Sequence, residues 1–517
     1  MRPDPSNEMI LFPLRRRWIA AIALLSALPF LFVRIPPLID VPGHIGRYAV
    51  ELAPPGSPML RYFAFHWVPA PNLAADLLVV PLARLLGLVP AVWLLCAIIP
   101  GLTVGALLML ARRRNPGGAG ALPWALLFVY NLWFLYGFLN FFLVAALSLW
   151  AVLLWEALDK RRRLRAALFV LLTPILFVGH AVGALLMVVW IASLTLAARL
   201  EAGGPGALRD PRAWIGAAGS LWPLASGALL LAVAPGGAGA TRWDFLDKLD
   251  AVATALQDQN RWLDLASVVA ALAVFVLGWI WRARLRGGNA LIVVATLALF
   301  VAAPGVLGGA ARVDGRLLPF VPMLAFVLQD WREVRPTQRR WTARVGWMLL
   351  LVRFTVTTVS FAGYAESYQR ELAALDHVAV GSRVLNLSLV NCRGDQWRRE
   401  RTEHLANLAT PLRQAWVNAH WTNGALQLLQ VTYRPRGYAH DPSQLIVGEH
   451  CVDRAVPFER RSRHGLVESL PRLPLDQVDY LWLIGTDLPP GVRDPRLVPV
   501  WRSGRSALYA VRGGATT

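Results

Sequence analysis

The chain has 517 residues, of which 56% are hydrophobic and only 16% charged, with a formal net charge of +20. Soluble domains usually carry about 25% charged residues, so there is too little charge here to cover a water-facing surface. The basic balance does not point to nucleic acid either, because the arginines form no stripe interleaved with aromatics. They fall instead in short runs between apolar blocks, at Arg15–Arg17, Arg112–Arg114, Arg161–Arg163, Arg282–Arg286 and Arg339–Arg344. That is the pattern of cytoplasmic loops under the positive-inside rule.

Residues 1–17 form a cytoplasmic N-terminus held by Arg15–Arg17. The first apolar block follows like a signal peptide, but Pro29, Phe30 and Phe32 leave no small-residue cleavage site, so it reads as an uncleaved first span at 18–34. Residues 35–89 form a long first outer loop. Further spans are expected at about 90–111, 119–136, 138–157, 165–179, 181–198, 213–234, 263–281, 289–307, 317–331 and 345–364, about eleven in all. With this count every basic run lands on one side.

Two apolar stretches read as interfacial amphipathic helices. Leu73–Leu88 carries Asp76 and Arg84 and reaches only about 24 Å. In 245–262 the residues Asp247, Asp250 and Asp258 fall on the wet side. Beyond residue 364, β-prone runs at Arg383–Val390, Tyr480–Ile484, Leu497–Trp501 and Ala507–Val511 alternate with a helical stretch at 402–417. The fold class expected is therefore an all-α polytopic membrane bundle over 18–364, with a small C-terminal α/β extracytoplasmic domain over 365–517. Outside the cytoplasm Cys392 and Cys451 can form a disulfide or remain two buried thiols, whereas Cys96 reads as packing inside a span.

The sharpest local signal follows the first span: Asp40-Val41-Pro42-Gly43-His44-Ile45-Gly46-Arg47. A carboxylate, an imidazole and a guanidinium at helical spacing can take a proton from a hydroxyl, hold a divalent cation or orient a phosphate. They can equally cap and anchor a helix at the headgroups. His66 can join Asp40 and His44 as a metal ligand or lie idle beside Trp67. Asp76 can act on substrate or pair with Arg84. His180 sits at a span end, where it faces a cavity or merely water. Arg312 and Arg316 open the tenth span on the outer side, as phosphate clamp or headgroup anchor. Asn131, Tyr136 and Asn140 read as helix–helix hydrogen bonders. Arg353 lies mid-span and must face protein or water.

The layout resembles the GT-C superfamily of membrane glycosyltransferases. The likeness rests on Asp40 after span one, the long outer loop, the Pro69-Ala70-Pro71-Asn72-Leu73 motif opening an interfacial helix, and Arg316-Leu317-Leu318-Pro319 before a late span. Bacterial members with an Asp-x-Pro-x-His motif after the first span are most similar. The resemblance implies transfer of a sugar from a polyprenyl-phosphate-linked donor to an envelope glycan, lipid or protein acceptor on the outer face of the bacterial inner membrane. Asp40 would be the catalytic carboxylate, assisted by His44. Arg316 would hold the donor phosphate, with Arg47, His66, Asn72, Asp76, His180 and Arg312 as further substrate-binding candidates. Many members have a second acid and a divalent cation, Mg or Mn; here Ile39 stands beside Asp40, and Glu51 or Asp76 is left to serve. The other readings are a transporter of a lipid-linked glycan and a non-catalytic scaffold or assembly protein.

Overall fold

The computed structural model describes residues 14–115, 119–203, 210–227, 229–230, 239–390, 397–422, 428–448 and 464–513. The chain falls into two compact units, one of residues 1–31, 69–77 and 94–358, the other of residues 32–68, 78–93 and 359–517. Residues 32–68 and 78–93 of the first outer segment thus belong to one unit with the C-terminal region, whereas 69–77 belong to the helical unit.

Among the described residues five helices are long and apolar enough to cross a membrane: Leu88–Arg114, Leu139–Ala157, Ala181–Ala202, Arg261–Ile280 and Pro336–His377. They mark a multi-pass membrane protein. The first two are mostly buried, while Arg261–Ile280 is only 33% buried. Its outer face carries Val269, Leu272, Val276 and Trp279, all more than half exposed. Apolar residues on the outside of a helix are stable where lipid is the solvent.

Other expected spans are shorter or broken. Residues 119–136 form helices Leu122–Leu126 and Leu132–Tyr136 with a kink between them. Asn131 closes the break: its side chain accepts from Trp133 N and Phe134 N and donates to Phe128 O. Leu132 N donates to Ala255 O at 3.0 Å. Irregular backbone at membrane depth survives only when buried with such partners. Asn131 is therefore a cap, whereas Asn140 does bridge two segments, as expected.

The basic runs converge at one end of the helical unit. Arg112 donates to Leu14 O at 2.7 Å, Arg114 donates to Asn289 at 2.7 Å and pairs with Glu156, and Arg286 pairs with Glu333 at 2.7 Å. At the other end lie two buried ion pairs. Lys248 Nζ meets Asp314 at 2.9 Å and also donates to Phe300 O and Ala303 O. Arg353 meets Asp264 at 2.8 Å and donates to Leu256 O. Asp264 is thus the partner the mid-span arginine requires. The helix expected over 245–262 spans only Phe245–Ala253. Asp247 and Asp250 are exposed as expected, but Asp258 is buried, its backbone N–H donating to Asp264 at 2.8 Å.

The second unit is built on a mixed sheet. Its strands are β4 (Arg383–Val390), β5 (Trp416–Val417), β7 (Leu445–Val447), β8 (Tyr480–Ile484), β9 (Leu497–Ser503) and β10 (Ser506–Val511), in the order β5-β4-β8-β10-β9 with β7 also on β4. β4 runs parallel to β5, β7 and β8; β10 is antiparallel to β8 and β9. Apart from this sheet, β1 (Phe63–Phe65) pairs with β6 (Leu429–Val431), and β2 (Val306–Leu307) with β3 (Ala310–Ala311) in the helical unit. Leu385, Leu387, Trp416, Leu481 and Leu483 share one core with Val50, Met59 and Phe63. Each such burial contributes about 1.5–3 kcal/mol. The helix expected over 402–417 shrinks to the turn Leu405–Leu408 and helix Ala409–Arg413, ended by Gln414 at φ 51°.

Candidate functional site

In the sheet-bearing unit, helix Val41–Glu51 starts after Asp40, with Pro42 in its first turn. Pro is pre-organised there and its missing N–H costs nothing. Helix residues Val41 to Val50 are buried except His44, which is partly buried. Gly43 and Gly46 let neighbours approach. A Cβ at Gly43 would lie 2.4 Å from the Trp421 ring, and one at Gly46 would lie 2.7 Å from His420 and 2.8 Å from Asn407 O.

This close packing assembles an aromatic and ionisable cluster. The His44 ring stacks on Tyr48 with centroids 6.0 Å apart and tilts against Trp421 at 5.4 Å. Trp421 also packs against His404, at 4.7 Å. His404 Nε2 lies 3.8 Å from Asp40 Oδ1, and its Nδ1 lies 3.9 Å from Asp441 Oδ1. One imidazole thus stands between two carboxylates, just outside hydrogen-bond length. Arg47 is buried, its guanidinium 5.1 Å from the Tyr48 ring.

Local structure fixes each of these groups. The segment before His404 is held on the helix Pro336–Leu372, where Arg398 donates to the Tyr364 hydroxyl and that hydroxyl donates to Arg399 O. Arg401 lies over Tyr364 at 4.4 Å and donates to Pro37 O at 2.8 Å, which anchors the approach to Asp40. Asp441 N donates to His420 O at 2.9 Å, and Gln444 donates to the Asp441 carboxylate at 2.7 Å. Thr410 donates to Ala415 O, so His420 Nε2–H donates to the Thr410 oxygen at 2.9 Å. Burial, reinforced by the nearby His404 and Arg47, pushes the His420 pKa down to about 3. It stays neutral.

Asn72, Asp76, His180, Arg312 and Arg316 all fall in the helical unit. Asn140 donates to Asn72 O at 2.7 Å, accepts from Ala75 N, and reaches Asp76 at 3.5 Å. Asp76 is fully buried while Arg84 is exposed. His180 caps the next helix, its Nδ1 accepting from Gly183 N at 3.2 Å, and its ring packs edge-on against Phe141. Trp133, Tyr136 and Phe138 stack in series at 5.8 and 5.7 Å. Arg312 lies over the first two rings and Arg316 over the third, at 3.8 Å. The result is two guanidinium groups on an aromatic shelf. Arg312 adopts a left-handed φ of 60° to reach it.

His66 is exposed, its backbone N–H donating to Leu428 O. Cys392 and Cys451 lie outside the described residues. Among the described residues no three His, Cys, Asp or Glu side chains are placed to hold a metal ion.

His404, His420, Trp421 and Asp441 carry no local motif that ties them to Asp40. The usable trace is Gly43 and Gly46, three residues apart on one helix, which signals a neighbour packed against that face. Protein-family models, curated proteins and solved structures were all compared with the chain, and none matches.

Proposed function

We propose that the chain is a membrane glycosyltransferase that moves a sugar from a polyprenyl-phosphate-linked donor to an envelope acceptor at the outer face of a bacterial inner membrane. The observation that carries this reading is His404 between Asp40 and Asp441. Asp40 accepts the proton of the acceptor hydroxyl, and His404 orients it and shares that proton. The freed oxygen bonds the anomeric carbon while the bond from that carbon to the phosphate oxygen breaks. Its electron pair leaves on polyprenyl phosphate. In the helical unit, Arg312 and Arg316 are proposed as ligands of a phosphate, which their fork geometry suits.

The topology proposed has about eleven crossings, with the N-terminus cytoplasmic and residues 365–517 periplasmic. The convergence of basic loops at one end supports it. The pairing of Arg353 with Asp264 weakens a transport path, because the mid-span charge is occupied by protein.

The test is sugar transfer in proteoliposomes supplied with a polyprenyl-phosphate-sugar, followed by mass spectrometry of the acceptor. Asp40→Asn should lower the rate by about 10²–10⁴-fold. A folded Asp40→Asn protein with the wild-type rate rejects the assignment.

A further inference from the structure

A cleft of about 730 Å³ opens in the helical unit, at the end where the basic runs meet. Arg113, Arg114, Arg162, Arg165 and Arg199 line it, together with Glu156, Asp159 and Glu201. Five guanidinium groups against three carboxylates leave an excess of two positive charges. Glu156 is shared by Arg113 and Arg114, and Asp159 is engaged by Arg165 at 3.0 Å. The Arg165 guanidinium also packs over the Trp155 ring, at 4.3 Å. Arg162 and Arg199 are exposed at the cleft.

The depth of the cleft indicates what fills it. Arg162 and Arg165 lie in the first turn of helix Arg162–Gly179. Along the outward side of the same helix, Leu164, Leu168, Leu171 and Ile175 are 38–65% exposed. Their spacing of four, three and four residues makes a continuous apolar stripe, stable only against lipid tails. The hydrocarbon layer therefore begins within about two turns of the arginines, which puts the cleft at headgroup depth. Trp222, 60% exposed, stands in the lining, as indoles do at a membrane interface.

We infer that this cleft binds the phosphate headgroup of an anionic phospholipid. The site is separate from the candidate catalytic groups and does not depend on the glycosyltransferase reading. Its arginines neutralise the phosphate, and a guanidinium offers paired N–H donors to two phosphate oxygens at once.

The test uses the full chain in nanodiscs of phosphatidylcholine with a minor share of phosphatidylglycerol. Native mass spectrometry then reads the lipid retained on extraction. Wild type should retain phosphatidylglycerol in preference to phosphatidylcholine, and phosphatidylglycerol should raise its unfolding temperature. Replacing both Arg162→Gln and Arg199→Gln should reduce the preference about tenfold. Replacing both Arg161→Gln and Arg163→Gln makes the same charge change outside the cleft and should leave the preference intact. Equal loss in the two variants would mean diffuse surface charge and overturn the site, as would a wild-type protein with neither preference nor stabilisation. Displacement of the lipid by millimolar inorganic phosphate would assign the cleft to a free anion and overturn the lipid reading.

Discussion

The ionisable groups buried in the two units are held in different ways. In the helical unit Lys248 has three acceptors for its three protons, and Arg353 is bound by Asp264 and a carbonyl. In the sheet-bearing unit His404 stands 3.8 and 3.9 Å from two carboxylates without closing a bond to either. Among the described residues His420 Nδ1 has no hydrogen-bond partner. A charge among apolar helices persists only when saturated, since each unmet donor is costly there. The contrast separates structural charge from candidate chemistry.

The largest effect expected is on the saturated side. Arg353→Met leaves Asp264 buried beside apolar atoms and should destabilise the fold by about 3–5 kcal/mol. Adding Asp264→Asn should recover much of that loss, measured by unfolding in detergent. A single variant as stable as wild type would show that the pair is not structural.

On the other side the fold should be sensitive to acid. His420 is neutral in the folded chain down to about pH 3, whereas an unfolded histidine protonates near 6.5. Stability from this group is complete above pH 6.5 and declines as pH falls through that value. The loss should reach about 2 kcal/mol by pH 5. His420→Gln should flatten this dependence; an unchanged slope would place the acid sensitivity elsewhere.

A smaller effect tests the packing that brings the cluster together. Gly46→Ala pushes a methyl into His420 and a backbone oxygen of Asn407, and should destabilise by about 1–2 kcal/mol. The same variant should shift the environment of Trp421, seen in its fluorescence. A Gly46→Ala protein with wild-type stability and emission would show that the helix does not need this close approach.

What was legible in the sequence follows the range of the forces involved. The strands at Arg383–Val390 and Tyr480–Ile484 occur where β-prone runs indicate them, because their burial pattern is local. The long apolar helices are legible for the same reason. The break at Asn131 is not, since it depends on Ala255, far along the chain. Asp40 and His44 are legible as a pair because they lie four residues apart at the start of one short helix. His404 reaches Asp40 only through Arg401, which bonds Pro37 across 364 positions of sequence. Nothing local encodes that approach. The partner of Arg353, 89 residues away, was hidden in the same way.

The most direct test of the central claim is a double-mutant cycle on sugar transfer, comparing Asp40→Asn, His404→Gln and the two combined. If the carboxylate and imidazole work as one unit, each single change should remove most of the rate and the combination should remove little more. Losses that multiply, or a His404→Gln protein as fast as wild type, would contradict the account.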